Sequence, residues 1–292
     1  MRWTPWSTLE IEPALSVATF RETIDGGQAF RWKPDSTGDV WQGVWSDCVV
    51  RLRWRSENAI EFSRPENCPR ITADRVRDYL GFGTDWNRIA DELPWRSDPQ
   101  LRQAMDAFPG LRLLNQPFSE TLLCFLCSAT KQIPQIKAMC DNLASALGDP
   151  IGPNLPHRLP DWTRIAEASE DDLRALGLGF RARNIKRTAD LIAADPNCLE
   201  NIERLPYAEA HSKLLAFPGV GSKIADCSLL FGANKLEAFP VDTWILKTLQ
   251  RRYNLEGWKQ NQLEQFGKTH FGSCAGYAQQ FFFAHERANA KQ

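Results

Sequence analysis

The sequence predicts an α+β protein: a small antiparallel sheet domain over residues 1–105, followed by a mostly helical domain over residues 106–292. Two observations carry this. Hydrophobic residues recur with a period of two in the first third and with a helical period from about residue 100 onward. Eight of the eleven tryptophans also fall before residue 96, as a tight sheet core would require.

The clearest strand is "VVRLRWRS", where Val50, Leu52 and Trp54 alternate with Arg51, Arg53 and Arg55. That alternation marks a strand with one buried face. "VWQGVW" and "AIEFS" flank it, separated by turn residues. The helices then follow in order: "SETLLCFLCSA", "QIKAMCDNLASAL", "DDLRALGLG", "ARNIKRTADLIAA", "YAEAHSKLLAF", "KIADCSLLFG", "DTWILKTLQRRY" and "GYAQQFFFAHERA". A loop containing Pro150, Pro153, Pro156 and Pro160 divides the helical part.

Composition excludes several classes. The net charge of −1 gives no bulk signature of a nucleic-acid or membrane binder, so any such binding must come from local patches. No apolar run is long enough to span a membrane, and no secretory leader is recognisable. An intracellular protein with reduced thiols is expected, in the cytoplasm or nucleoid of a bacterium or the nucleus of a eukaryote. Cys124 and Cys127 form a C-x-x-C inside an apolar helix, which reads as packing; no second such pair completes a zinc site. Only Cys274 follows Cys227, which excludes a four-cysteine cluster near the C-terminus.

The stretch "FPGVGSKIADC" (217–227) joins two helices through two glycines and a proline. It is not a P-loop, because Ser222 separates Gly221 from Lys223. Nor is it a dinucleotide fingerprint, because Ile224 stands where a third glycine is needed. The amides of Gly219, Val220 and Gly221 at a helix start suit a phosphate. An ordinary corner between two helices would also explain the glycines, but not the lysine. Lys223 falls at the positive end of a helix dipole, which disfavours a cation by roughly 0.3–1 kcal/mol. A nucleophilic amine near neutral pH needs a pKa of roughly 7–8 against an ordinary value of about 10.4, a change worth about 4 kcal/mol. The dipole would supply at most about a quarter of that, leaving desolvation to supply the rest; a solvated surface lysine is the alternative. Asp242, in "FPVDTW", precedes a helical run and reads as an N-cap. It could also face Lys223 and stabilise a developing cation.

The hairpin lysine followed by P-V-D resembles the helix-hairpin-helix glycosylases with a Gly/Pro-rich loop and an Asp, and more closely their 8-oxoguanine DNA glycosylase/AP lyase branch. The resemblance runs through "GGQAFRW" (26–32), "LRLLNQP" (111–117), "LGLGFRAR" (176–183), the segment 205–227, "AFPVDTW" (238–244) and "AGYAQQFFF" (275–283), in family order. It implies a bifunctional enzyme on duplex DNA: Lys223 attacks C1′, the oxidised base leaves, and a Schiff base leads to β-elimination. Asp242 would stabilise the cationic sugar. Gly27, Cys227, Phe231, Pro240, Gln279 and Phe283 would form the lesion pocket. Gly27 would accept the N7–H that distinguishes 8-oxoguanine, Cys227 and Phe283 would sandwich the base, and Gln279 would read its pairing edge. Phe180 would be the wedge filling the gap left by the flipped base, and the cations of "RARNIKR" would meet the backbone.

This chain departs from the family among the opposite-base readers. Thr130 replaces an Asn and Gln135 an Arg, leaving Arg181 as the remaining reader, and Trp244 stands where animal enzymes have a His. A relaxed opposite-base preference is therefore expected. The resemblance implies no catalytic metal or organic cofactor, a structural monovalent cation at the hairpin, and a monomer. The rivals are a monofunctional alkyl-base glycosylase, which would lack the hairpin lysine, and a non-catalytic helix-hairpin-helix module.

Overall fold

The structure, a computed structural model, describes residues 2–290. Five antiparallel strands form one sheet: β1 (Ser7–Glu10), β2 (Trp32–Pro34), β3 (Val40–Trp45), β4 (Cys48–Ser56) and β5 (Ala59–Ser63), in the spatial order β1-β5-β4-β3-β2. The alternation read from the sequence sets the register. Val50 pairs with Gly43 and Leu52 with both Trp41 and Phe62, so these residues share one buried face while Arg51 and Arg53 are only partly covered. Against that face packs a core that includes Trp32, Trp45 and Tyr79. The Trp45 and Tyr79 rings stack at 3.9 Å, and Trp32 Nε1 donates to the Tyr79 hydroxyl at 3.1 Å.

The first hundred residues are less uniformly strand than their sequence suggests. They include α1 (Val17–Asp25), α2 (Ala73–Tyr79), α3 (Trp86–Glu92) and the start of α4 (Pro99–Ala107). Each begins at a side-chain cap, from Ser16, Thr72, Asp85 and Asp98 respectively, and the caps mark helices too short to show a clear period. The two cores interleave along the chain: Trp86, Ile89 and Leu101 belong to the helical core, whereas Leu114, Ile151 and Leu155 complete the sheet core.

The helical part comprises α5 (Phe118–Cys127), α6 (Ile133–Leu147), α7 (Trp162–Glu167), α8 (Glu170–Leu173), α9 (Arg181–Ala194), α10 (Cys198–Arg204), α11 (Tyr207–Leu214), α12 (Ser222–Ala233), α13 (Thr243–Tyr253), α14 (Gln260–Phe271) and α15 (Ala275–Asn289). The helix expected over 171–179 stops early. After α8 a single wide turn covers Arg174–Leu178, and Gly177 and Gly179 take φ values of +90° and +57°. That break leaves Phe180 at the surface at the head of α9. Among the described residues, no helix is long and apolar enough to cross a membrane.

Gln28 ties the sheet to the helices. Its side chain donates to Arg112 O and accepts from Leu114 N, both at 3.0 Å, and its carbonyl accepts from Gln116 Nε2 at 2.8 Å. Gln116 N then donates to Phe231 O on α12 at 3.2 Å. The backbone beside Gly27 is thereby fixed relative to the helix that carries Lys223.

Candidate active site

The hairpin is α11, the turn Leu215–Gly221, and α12. Gly219 adopts φ +84°, and a Cβ there would lie 2.9 Å from Asn184 Cβ on α9, so close packing and backbone conformation both require glycine. Thr188 Oγ1 donates to Pro218 O at 2.9 Å and pins the turn to the same helix. The amides of Gly219 and Gly221 have no acceptor among the described residues. Val220 was expected to offer its amide outward; instead it donates to Phe217 O at 3.1 Å, which closes the turn and withdraws that group from any anion.

Lys223 lies in the first turn of α12. Its Nζ is 3.1 Å from Ser128 Oγ and 5.0 Å from the centre of the Phe125 ring. The residue is half-buried, so the protein alone supplies only part of the desolvation expected at this position. Asp242 caps α13, accepting from Trp244 N at 3.0 Å and Ile245 N at 2.8 Å. Burial raises its carboxyl above the ordinary value of 3.8, against the opposing pull of the two amides and the Lys223 charge. Cys227, one turn beyond Lys223, is buried, and desolvation pushes its thiol up to about 12. It is therefore a neutral contact surface.

The pocket residues come from three parts of the chain. Gly27 has φ +95°, and a Cβ on it would stand 3.4 Å from Phe283 Cε1 on α15 and 3.1 Å from Ile133 Cδ1 on α6. Gln279, one turn before Phe283, is 4% exposed, and its Oε1 has no hydrogen-bond partner among the described residues. Phe231 is buried and stacks on Phe125 at 5.6 Å; Pro240 is buried in the segment leading to Asp242. Two cavities of about 400 Å³ and 390 Å³ lie elsewhere, beside α3 and α4 and between α1 and the sheet, and neither is lined by a candidate site residue.

The opposite flank is built differently. Phe180 is 60% exposed. Arg181, expected to read a base, is 4% exposed and turned inward. Its Nε donates to Ala129 O at 2.9 Å, Nη1 to Leu178 O at 3.3 Å, and Nη2 to Ala129 O and, at 2.9 Å, to Thr130 Oγ1. Its guanidinium also lies 4.4 Å from the centre of the Phe180 ring, which it supports from below the surface. Thr130 is exposed with φ +56°. Gln135 is exposed, and its Oε1 accepts from Gln132 N at 3.2 Å to cap α6. In the basic run that follows, Lys186 pairs with Asp190 at 2.5 Å, whereas Arg183 and Arg187 are exposed without a partner among the described residues. The buried Cys124 and Cys140 thiols meet at 3.6 Å between α5 and α6, in keeping with a packing role for the C-x-x-C; no group of side chains suited to a metal ion occurs among the described residues.

Sequence reasoning did not single out Ser128, Phe125, Ile133 or Gln28. Only Gln28 carried a signal, its place in "GGQAFRW"; the others become relevant through contacts between distant segments.

Residues 11–122 match the family model described as 8-oxoguanine DNA glycosylase, N-terminal domain, and residues 123–269 match that of the HhH-GPD superfamily base excision DNA repair protein. A Methanothermobacter thermautotrophicus protein named probable N-glycosylase/DNA lyase is 31% identical over 82% of this chain and 83% of its own length. An Arabidopsis thaliana protein named N-glycosylase/DNA lyase OGG1 is 28% identical over 98% of this chain and 80% of its own length. Among solved structures, the Clostridium acetobutylicum 8-oxoguanine glycosylase/lyase bound to double-stranded DNA with cytosine opposite 8-oxoguanine superposes with a TM-score of 0.84 at 32% identity, covering 93% of this chain and 92% of that one. A 3-methyladenine DNA glycosylase from Archaeoglobus fulgidus, at 20% identity and a TM-score of 0.75, shares the fold.

Proposed function

The chain belongs to the HhH-GPD superfamily of base excision DNA repair proteins, and from that membership we propose that it excises 8-oxoguanine from duplex DNA and then cleaves the strand as an AP lyase. The observation that carries the reading is Lys223: its amine lies at the start of the hairpin helix, one turn before buried Cys227, and donates to Ser128 at the end of α5. The Arabidopsis and Methanothermobacter relatives and the Clostridium structure carry glycosylase/lyase names, and the monofunctional alternative does not account for this lysine.

In the proposed mechanism the flipped nucleotide enters between Cys227 and Phe283. Gly27 presents its carbonyl to N7–H, and Gln279 uses its unpaired Oε1 on the pairing edge. A hydrogen bond to one extra donor is worth roughly 1 kcal/mol, and more where the acceptor would otherwise be buried unpaired. As the C1′–N bond breaks, the sugar gains positive charge, and the Asp242 carboxylate is the partly desolvated anion that stabilises it. Lys223 bonds to C1′ in place of the departing base, and the C1′–O4′ bond then opens to give the Schiff base; this makes the C2′ proton acidic, and its loss expels the 3′-phosphate by β-elimination, which opens the strand. Phe180 fills the vacated stack, while Arg183 and Arg187 meet backbone phosphates. The hairpin would hold a phosphate on the Gly219 and Gly221 amides. The Leu215 and Val220 carbonyls, which accept no hydrogen bond among the described residues, suit a monovalent cation beside them.

Borohydride trapping tests this reading. A covalent enzyme–DNA adduct should form on duplexes containing 8-oxoguanine, and not with Lys223→Gln. A parent enzyme that excises the base without ever being trapped would support a monofunctional glycosylase. One that binds without excision would support a DNA-binding module.

A further inference from the structure

Ser128 ends α5 and is 8% exposed. Its hydroxyl proton is committed to Phe125 O at 2.7 Å, so the oxygen turned toward Lys223 Nζ, 3.1 Å away, offers only lone pairs. A lysine ends a flexible four-carbon stem with rotatable donors. One N–H held by a fixed acceptor, with the Phe125 ring 5.0 Å away, leaves the nitrogen few places to go. A neutral amine that donates one N–H keeps its own lone pair free for attack.

We propose that Ser128 is a positioning residue for Lys223: it accepts one N–H and thereby aims the amine at C1′ of the flipped nucleotide. The proposal rests on Lys223 being the nucleophile. It also gives the Ser128–Thr130 segment a second task. Arg181 holds Ala129 O and Thr130 Oγ1, and Arg181 directly follows the exposed Phe180. The side chain that enters the duplex and the amine that attacks the sugar are therefore anchored to one three-residue segment, so insertion of the wedge and placement of the nucleophile share a support. Misplacing a reacting group by about 1 Å can cost about a hundredfold in rate, which is why an acceptor that touches no substrate can matter.

Removing the hydroxyl should not harm the fold, because Phe125 O keeps the Ser128 N–H at 3.0 Å and no buried carbonyl is stranded. The test compares the parent, Ser128→Ala and Ser128→Thr. It measures single-turnover excision and borohydride trapping on an 8-oxoguanine duplex, and affinity for a duplex carrying a non-cleavable abasic analogue. Ser128→Ala is expected to slow excision and trapping together by about tenfold or more, with affinity unchanged within about twofold, and Ser128→Thr is expected to restore most of the rate. Excision by Ser128→Ala at the parental rate, failure of Ser128→Thr to recover it, or a loss confined to affinity would overturn the positioning role. Failure of the parent itself to be trapped would instead overturn the assignment of Lys223 beneath it.

Discussion

The lesion side and the opposite-strand side of the proposed site differ in where their polar groups point. On the lesion side, Gln279 keeps a buried oxygen unpaired, and the Gly27 backbone lies against Phe283 and Ile133. On the opposite side, Arg181 spends its donors on Leu178, Ala129 and Thr130, and Gln135 caps its own helix. A buried polar atom without a partner costs about 1–3 kcal/mol, so leaving one in place makes sense where a ligand will satisfy it. Groups already satisfied gain little from a base. In the proposed reading, one half of the site discriminates and the other supports a wedge.

The largest effect should come from the chemistry. Lys223→Gln keeps a polar side chain of similar reach but has no nucleophilic amine. Excision and nicking should both fall by at least about a thousandfold, while binding of the lesion duplex survives. Nicking by the variant near the parental rate, read on a denaturing gel, would remove the lysine from the mechanism and with it the special status of the lesion side.

Gly27→Ala comes next. The methyl would press on Ile133 Cδ1 at 3.1 Å and Phe283 Cε1 at 3.4 Å, at a φ of +95° that side chains rarely adopt. Backbone strain alone costs roughly 1–3 kcal/mol, and the pocket narrows as well. Excision of 8-oxoguanine should drop by about ten- to a hundredfold in kcat/KM. A variant that cuts as well as the parent would reduce Gly27 to a turn residue.

Asp242 supplies a pH dependence on the same side. Its carboxyl is raised by burial, so the ionised form proposed to stabilise the sugar is lost, as pH falls, above the ordinary value of 3.8. Below that point the rate should fall about tenfold per pH unit. The linkage runs the other way for stability. A raised folded-state pKa contributes at low pH and is lost as pH rises through it, so Asp242→Asn, which keeps a capping oxygen, should not destabilise the protein at neutral pH. Single-turnover profiles of parent and Asp242→Asn identify the acid limb: it should disappear in the variant. A limb at or below 3.8 in the parent would show that the carboxyl is not desolvated as described.

On the opposite side the expected effect is small. Each bidentate reader is worth about 1–3 kcal/mol of discrimination, and this chain presents Thr130 and Gln135 with Arg181 turned inward. Excision opposite C, T, G and A should differ by less than about tenfold, or roughly 1.4 kcal/mol. Gln135→Arg with Thr130→Asn should bias cutting toward C by about tenfold. A preference for C above about a hundredfold in the unmodified protein would mean that Arg181 leaves its carbonyls on binding, and the contrast between the two halves would fail.

Some of this was legible in the sequence and some was not, for identifiable reasons. β3 and β5 coincide with "VWQGVW" and "AIEFS" because pairing on both sides fixes their period. The position of Lys223 was readable from two glycines and an apolar run. The inward turn of Arg181 was not, because its acceptors Ala129 and Thr130 lie 52 and 51 residues away. The same separation hid Ser128, 95 residues from Lys223. Helices of seven residues such as α2 and α3 span only two turns, and beside a strong period-two signal they were overlooked.

The smallest effect concerns Thr130 itself. A β-branched residue at φ +56° is strained by about 1–2 kcal/mol, whereas Asn tolerates that region. Asn also keeps an oxygen for Arg181 Nη2, which Thr130 Oγ1 holds at 2.9 Å. Thr130→Asn should therefore stabilise the free protein by about 0.5–1 kcal/mol, raising Tm by roughly 1–4 °C for a chain of this size. Thr130→Ala, which keeps the strain and loses the acceptor, should destabilise it. Thermal melts of the three proteins decide the matter. If Thr130→Asn melts below the parent, the loop is not strained in the free protein, and the opposite-strand side is better adapted to its threonine than the backbone indicates. If it melts higher, the chain carries a strained residue at the surface proposed to face DNA. Strain of this kind persists where the surrounding structure over-determines it, and Arg181, bound on both sides of the Ala129–Thr130 peptide, is the group that does so.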